Sequence, residues 1–261
     1  MAGRRQALQT ILEVSHITKT FCERGGIRFL ALDDVSLTVE EGECVGIVGE
    51  SGSGKSTLSR IVTRLILPDS GRVTLCGREL TMASGSALRE AYRDMKMIFQ
   101  DPRSSFDPRL TLGESISDAL KPVMAKRKQR TEEAARLLEK VGLNASFLNC
   151  YPSQVSGGEC QRAAIARAIA QKPRLLICDE ATSALDVSVQ AQIIGLLDSV
   201  RRENGLSLLF ISHDLALVSS FCKRTYVFYE GKIVEQGETS RLICAPEHPY
   251  TRRLIESALQ I

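Results

Sequence analysis

Apolar positions alternate between two patterns along this chain. Ile11–Thr20 and Ala31–Val39 read as strands, and the second sets Leu32, Val35, Leu37 and Val39 before a Glu40-Glu41-Gly42 turn. Cys44–Val48, Leu175–Cys178 and Leu208–Ile211 are short apolar runs, as buried strands would be, Arg72–Cys76 reads as another short strand and Met95–Phe99 as a further apolar run. Helical spacing appears at Lys55–Leu65, where Leu58, Ile61, Val62 and Leu65 share a face. It returns at Ala163–Ala170, Val189–Arg201 and Glu247–Leu259. Tyr226–Tyr229 and Lys232–Glu235 flank Glu230-Gly231, a hairpin signal. Residues Cys22–Phe29 read as a loop joining the first two strands. Between about 101 and 165 strand-like runs are scarce, and Ile116–Leu120 and Glu132–Val141 read as helices. Lys126-Arg127-Lys128 there reads as a solvated helix start rather than an anion or lipid patch. The pattern predicts an α/β domain with a mainly parallel sheet, interrupted by a small helical lobe over 101–165.

Composition narrows the function classes. The chain has 261 residues, 34 Lys and Arg against 31 Asp and Glu, and a formal charge of +3, which gives no support to a polyanionic partner or a nucleic-acid role. No apolar run approaches the roughly 18–20 residues a bilayer span needs. Met1–Gln6 lacks the apolar core of a signal peptide, so the expected place is the cytosol. Eight cysteines show no C-x2-C spacing, and most are expected to be small buried groups in a reducing compartment.

The chemistry concentrates in short motifs. Gly49-Glu50-Ser51-Gly52-Ser53-Gly54-Lys55-Ser56, followed by Thr57, matches G-x-x-x-x-G-K-[ST] between a buried strand and a helix. Glycines let the backbone close around phosphate oxygens, the helix start offers N–H groups, Lys55 reaches the outer phosphates and Ser56 ligates Mg2+. Leu175–Cys178 ends in Asp179-Glu180. Asp179 suits the hydrated Mg2+, and Glu180 suits a general base for water.

The remaining motifs make the chain resemble the ABC ATPases from about residue 12 to 250. They are Ser156-Gly157-Gly158-Glu159-Cys160-Gln161-Arg162 before a helix, Ser183-Ala184-Leu185-Asp186, Ser212-His213-Asp214, and Gln100 after a short strand. The resemblance implies a P-loop NTPase fold, with a RecA-like core, an antiparallel β subdomain and the inserted helical lobe. It divides the 261 residues into a core of 1–100 and 166–261 and a lobe of 101–165. It implies ATP and Mg2+ as cofactors, and Ser156, Gly157 and Gly158 closing over ATP bound to a second subunit. Gln100 would contact Mg2+ or the attacking water, Asp186 would lie at the dimer seam, and His213 would bond the outer phosphate. Phe21 would stack on adenine, with a core aromatic as the alternative. His16 and His248 read as structural. Glu159 stands where the family usually has glutamine, and its charge is expected to weaken the capping of the partner's ATP. Cys160 stands where a longer polar residue is usual, and Ala181 where proline is common.

Asp101–Arg109, Ser183–Gln192 and Pro246-Glu247-His248-Pro249-Tyr250-Thr251 further resemble the importer ATPases for peptides, nickel and opines, in particular the second ATPase of dipeptide, oligopeptide and nickel importers. That group implies a second, non-identical ATPase, two membrane permeases and an external solute-binding protein, with this chain at the inner membrane face. Its short length points to the nickel-type branch. The alternative of another class is a soluble accessory ATPase, as in the phosphonate carbon–phosphorus lyase complex. DNA-repair relatives would carry long insertions that this sequence lacks, and a small-molecule kinase leaves Ser156–Gly158 and His213 unexplained.

Overall fold

The structure, a computed structural model, describes residues 9–22, 27–183 and 185–259. Two sheets carry it. Strands β1 (Thr10–Cys22), β2 (Arg28–Glu40), β4 (Ser70–Leu75) and β5 (Arg78–Glu79) form an antiparallel sheet in the order β2-β1-β4-β5. The second sheet has the order β10-β9-β3-β8-β7-β6, from β3 (Cys44–Val48), β6 (Met95–Ile98), β7 (Leu175–Asp179), β8 (Ser207–Ser212), β9 (Arg224–Tyr229) and β10 (Lys232–Glu238). Its strands from β6 to β9 run parallel, and β10 returns antiparallel on β9.

Period-two side-chain alternation explains why the central strands are apolar throughout. Val45, Ile47, Leu175, Ile177, Leu209 and Ile211 join a core with Leu12, Val14, Leu37 and helix α1 (Lys55–Val62), under the antiparallel sheet. Cys44, Val48, Leu176, Cys178, Leu208 and Phe210 enter a second core on the other face. Helices α3 (Leu112–Ala119), α4 (Arg127–Lys140), α5 (Gly157–Ile169) and α6 (Val187–Asn204) build that second core. Residues 101–165 carry α3, α4, two short 3-10 turns and most of α5, and α5 runs on through residue 165.

The helices follow local signals. Thr111 and Glu114 make a capping box at the start of α3, and Ser156 and Glu159 make another at α5. Lys126 precedes α4 as an exposed N-cap, in line with a solvated helix start. The Glu230-Gly231 hairpin is present, with φ of 46° and 78°, as a two-residue primed turn requires. Residues 23–26 of the expected loop between β1 and β2 lie outside the described residues, as do Met1–Gln6.

Four elements escape the sequence pattern. Helix α2 (Gly85–Asp94) has only a short apolar face, Ala87, Leu88, Ala91 and Tyr92, of which Ala91 alone is buried. Helices α7 (Leu215–Phe221) and α8 (Thr239–Cys244) are each about two turns, too short for periodicity to register, and β5 is two residues. The last helix, α9 (Pro249–Leu259), starts two residues later than expected, at its proline. Of the eight cysteines, Cys44, Cys160, Cys178 and Cys222 are buried, whereas Cys22 and Cys244 are exposed and Cys76 and Cys150 lie between. The expectation that most are buried is therefore corrected to half, because Cys22 and Cys244 end elements at the surface.

Gly46, in the middle of β3, has no room for a side chain. A Cβ there would lie 2.3 Å from Val218 Cγ1 and 2.9 Å from Thr225 Oγ1. Gly46→Ala should therefore destabilise the chain by about 1–3 kcal/mol, read as a lower midpoint in urea unfolding.

Candidate functional site

The strand β3 delivers the chain into the loop Gly49–Gly54, and α1 begins at Lys55. Gly54 is the N-cap with φ 105°, a left-handed conformation that costs a side-chain-bearing residue energy. A Cβ on Gly49 would lie 2.2 Å from Phe228 O. The Ser53 carbonyl accepts the Gly231 N–H at 3.0 Å, so the β9–β10 hairpin backs the loop. Lys55 is 3% exposed, and its Nζ donates to Gly49 O and Glu50 O at 2.7 Å and to Ser53 Oγ at 3.3 Å. Burial pushes its ammonium down from the usual lysine range, while Glu180, Asp179 and Glu50 push back.

Strand β7 carries Asp179 to the first turns of α1. Ser56 Oγ donates to Asp179 Oδ1 at 3.2 Å, and Ser59 Oγ donates to Asp179 Oδ2 at 2.7 Å. Burial pushes the Asp179 carboxyl up, and the Ser59 and Ser56 hydroxyls offset part of that rise. Ser59 was not among the sequence-derived residues. Its signal was its place three residues after Ser56, on the same helix face.

Glu180 follows with φ 49°, an uncommon conformation for its type that costs on the order of 1–3 kcal/mol. Its N–H donates to Ile211 O at 3.0 Å and its C=O accepts from Ser183 N at 3.1 Å, which hold the turn. Gln100 Nε2 donates to Glu180 Oε2 at 2.9 Å and to Ser183 Oγ at 3.3 Å. His213 Nδ1 lies 3.8 Å from Glu180 Oε1. Lys55, Ser56, Asp179, Glu180, Gln100 and His213 are thus one connected group.

Ser156, Gly157 and Gly158 lie apart from that group. The Ser156 hydroxyl accepts from Glu159 N at 3.3 Å and donates to Glu159 Oε2 at 2.8 Å, while the Ser156 N–H donates to the same Oε2 at 2.8 Å. These two Ser156 donors hold the Glu159 carboxyl below the usual range, the backbone N–H foremost. Among the described residues no hydrogen bond joins Ser156–Gly158 to Lys55, Asp179 or Glu180. Gly158 packs on Val189, where an added Cβ would lie 2.8 Å from Cγ1. Asp186 caps α6 by accepting the Val189 N–H at 3.0 Å, so it lies next to that packing. Ala184 of the same motif lies outside the described residues. Arg103 Nη2 donates to Val155 O at 2.8 Å, tying the stretch after Gln100 to the residue before Ser156. Phe21 sits at the end of β1 opposite Phe29, 38% exposed, with Lys19 Nζ 5.6 Å from its ring centre. It is a surface aromatic, not a core one. His16 pairs with Asp34 at 2.7 Å on the surface, and His248 Nδ1 accepts the Tyr250 N–H, both structural roles.

The donor set fits Mg2+ with a triphosphate. Hydroxyl and carboxylate oxygens from Ser56 and Asp179 are hard ligands of the kind Mg2+ takes, and the loop before α1 presents backbone N–H groups to an anion. A strand, glycine loop and helix holding Lys55 beside a strand-end acid pair define a P-loop nucleoside triphosphatase. The ABC transporter family profile matches residues 32–183. The oligopeptide transport ATP-binding protein OppF of Escherichia coli (strain K12) is 46% identical over 230 residues, covering 87% of this chain and 69% of that protein. The "Probable peptide ABC transporter ATP-binding protein y4tS" of Sinorhizobium fredii is 48% identical, covering 95% and 72%. A dimeric post-hydrolysis structure of the ATP-binding cassette MJ0796, bound to ADP and Pi, superposes with a TM-score of 0.80 at 30% identity, over 88% of this chain and 99% of that one. This chain belongs to the ABC transporter family, and it is an ATP-binding, ATP-hydrolysing cassette.

The raised Asp179 carboxyl has a consequence for stability. The folded chain keeps that proton to higher pH than the unfolded chain does. Its ionisation therefore costs stability as pH rises from about 4, the unfolded value, through the raised folded one. Asp179→Asn should raise the thermal midpoint of the nucleotide-free chain at pH 7 and flatten its pH dependence in that window. The same variant should lose Mg2+-dependent ATP binding in a titration.

Proposed function

We propose that this chain powers an importer for peptides, as one ATPase of a pair on the inner membrane face. The carrying observation is the separation of two half-sites. Lys55, Ser56, Asp179, Glu180, Gln100 and His213 form one connected group, while Ser156–Gly158 caps a different helix with no bond to it. A complete site then needs the Ser156 segment of a second chain. The dimeric ADP-and-Pi structure similar to this chain supports that reading. The division into a core of 1–100 and 166–261 and a lobe of 101–165 belongs to the same reading.

The names of the relatives support the cargo class. They speak of a peptide transporter, of oligopeptide transport and, at 43% identity in Pectobacterium atrosepticum, of glutathione import. They favour the peptide side of the expectation over nickel, and import over a lyase accessory. Among the described residues no helix is long and apolar enough to cross a membrane, so spanning falls to partner permeases. The second ATPase as a non-identical paralogue, two permeases and an external binding protein complete the proposed assembly.

In this mechanism Mg2+, when bound, neutralises phosphate charge. Lys55 and the loop N–H groups orient the outer phosphates. Glu180 accepts the proton of the attacking water, with Gln100 fixing its Oε2 and His213 facing its Oε1. Asp186 lies at the seam between chains, and Phe21 takes the base.

Two substitutions test this. Glu180→Gln should keep ATP binding, lower phosphate release at least about 100-fold, and shift the chain to a dimer in ATP on size exclusion. Undiminished turnover removes Glu180 as the base. Glu159→Gln keeps the length of the α5 capping box, which either side chain can close. It should preserve or raise the ATPase rate of the purified complex, and a clear loss there would overturn the idea that the Glu159 charge weakens the capping of the partner's ATP.

A further inference from the structure

The segment Pro246–Thr251 has no part in the chemistry above, yet it reaches the phosphate loop. Tyr250 is 2% exposed, and its hydroxyl accepts the Glu50 N–H at 2.9 Å. The Gly49 carbonyl, in the same peptide unit as that N–H, accepts from Lys55 Nζ at 2.7 Å. One peptide unit of the loop is therefore held by Tyr250 on one side and by Lys55 on the other. Tyr250 is itself fixed. Its ring centre lies 4.2 Å from that of Tyr229, which ends β9 just before the Glu230-Gly231 turn that backs Ser53. Its N–H donates to His248 Nδ1 at 3.1 Å. Upstream, Glu235 on β10 accepts the Glu247 N–H on Oε1 at 2.9 Å and the His248 N–H on Oε2 at 3.0 Å. Pro249 then opens α9.

We propose that Tyr250 is a positioning residue of the nucleotide site: its hydroxyl sets the Glu50 peptide, and through it the place of Lys55. The Pro246–Thr251 segment, clamped by Glu235, thus tunes nucleotide affinity from behind the loop. This rests on the ATP-binding reading. A phosphate loop binds with N–H groups that must point inward, and an outward N–H needs its own acceptor or the peptide turns. Tyr250 supplies that acceptor at Glu50. Tyr250 touches neither phosphate nor water, so its loss acts on binding before it acts on chemistry.

Tyr250→Phe removes the hydroxyl and keeps the ring on Tyr229. Tyr226→Phe is the matched control. Tyr226 is equally buried, and its hydroxyl accepts the Thr38 N–H at 3.1 Å, away from the loop. Titration of the full-length chain with ADP and Mg2+ should show Tyr250→Phe binding about three- to tenfold more weakly. In the assembled transporter its KM for ATP should rise by the same factor, with kcat within about twofold. Tyr226→Phe should lower the thermal midpoint and leave ADP affinity unchanged. If Tyr250→Phe does not fold, Glu235→Gln, which loosens the segment at its other end, carries the same expectation. Affinity within twofold of wild type for Tyr250→Phe, or equal weakening in both tyrosine variants, overturns the proposal alone. A wild-type chain that binds no ADP overturns the nucleotide reading and this proposal with it.

Discussion

Phosphate binding here depends on a loop anchored from behind at Ser53 and Glu50, so that its remaining N–H groups are left for an anion. The backbone from Gly49 to Gly54 has no secondary structure to absorb its polar groups. Each outward group must find a partner or cost about 1–3 kcal/mol. Phe228 O fills the space a Cβ on Gly49 would take, Gly231 N–H meets Ser53 O, and Tyr250 meets Glu50 N–H. All three come from β9, its hairpin and α9, elements remote in sequence. The stretch from β9 to α9 is therefore part of the site, although it carries none of its reacting groups.

Charge sets a second constraint. Lys55 is buried at the loop, and Asp179 is buried beside α1, so both are pushed toward their neutral forms. Neither ionised form is favoured by burial, and the Coulomb pull of Glu180 and Asp179 on Lys55 is what keeps the cation in place. The two serine hydroxyls do the same for Asp179. Triphosphate and Mg2+ would arrive with charges complementary to both. Glu180 differs: only partly buried, it sits on a strained peptide and is gripped by Gln100. Strain held by the bonds to Ile211 and Ser183 is the expected condition of a group that must keep one orientation in water.

Much of this was legible in the amino-acid order, for definite reasons. The central strands of the six-stranded sheet were readable because strands buried on both faces are apolar along their length, as Cys44–Val48 and Leu175–Cys178 are. The loop and the acid pair were readable because their chemistry needs neighbours in sequence. Helices α7 and α8 were not, since each is about two turns and buries two side chains, and α2 shows only a short face of Leu88, Ala91 and Tyr92 with Ala91 alone buried. Ser59 could have been placed from its helix face, and the start of α5 from Ser156 and Glu159. The contacts of Tyr250 with Glu50 and of Arg103 with Val155 join residues 200 and 52 apart. No local pattern encodes such a pairing, and only the folded topology brings it about.

The capping box at α5 also changes the meaning of Glu159. A carboxylate near a helix start that receives phosphate reads, in sequence, as repulsion. In the structure its oxygen accepts both the N–H and the hydroxyl of Ser156. That arrangement spends the Ser156 hydroxyl proton inside the chain and fixes the serine in one rotamer. Its two lone pairs are then shared between the Glu159 N–H and whatever approaches from outside. For Ser156 to donate to a partner's phosphate, that hydroxyl must leave Glu159. Glutamine at this position could return an N–H to the serine in place of an acceptor, which frees the hydroxyl proton without loosening the helix. The charge difference thus acts through the orientation of Ser156 as well as through distance to the phosphate, and Arg103, bonded one residue before it, links that orientation to the Gln100 side of the same chain.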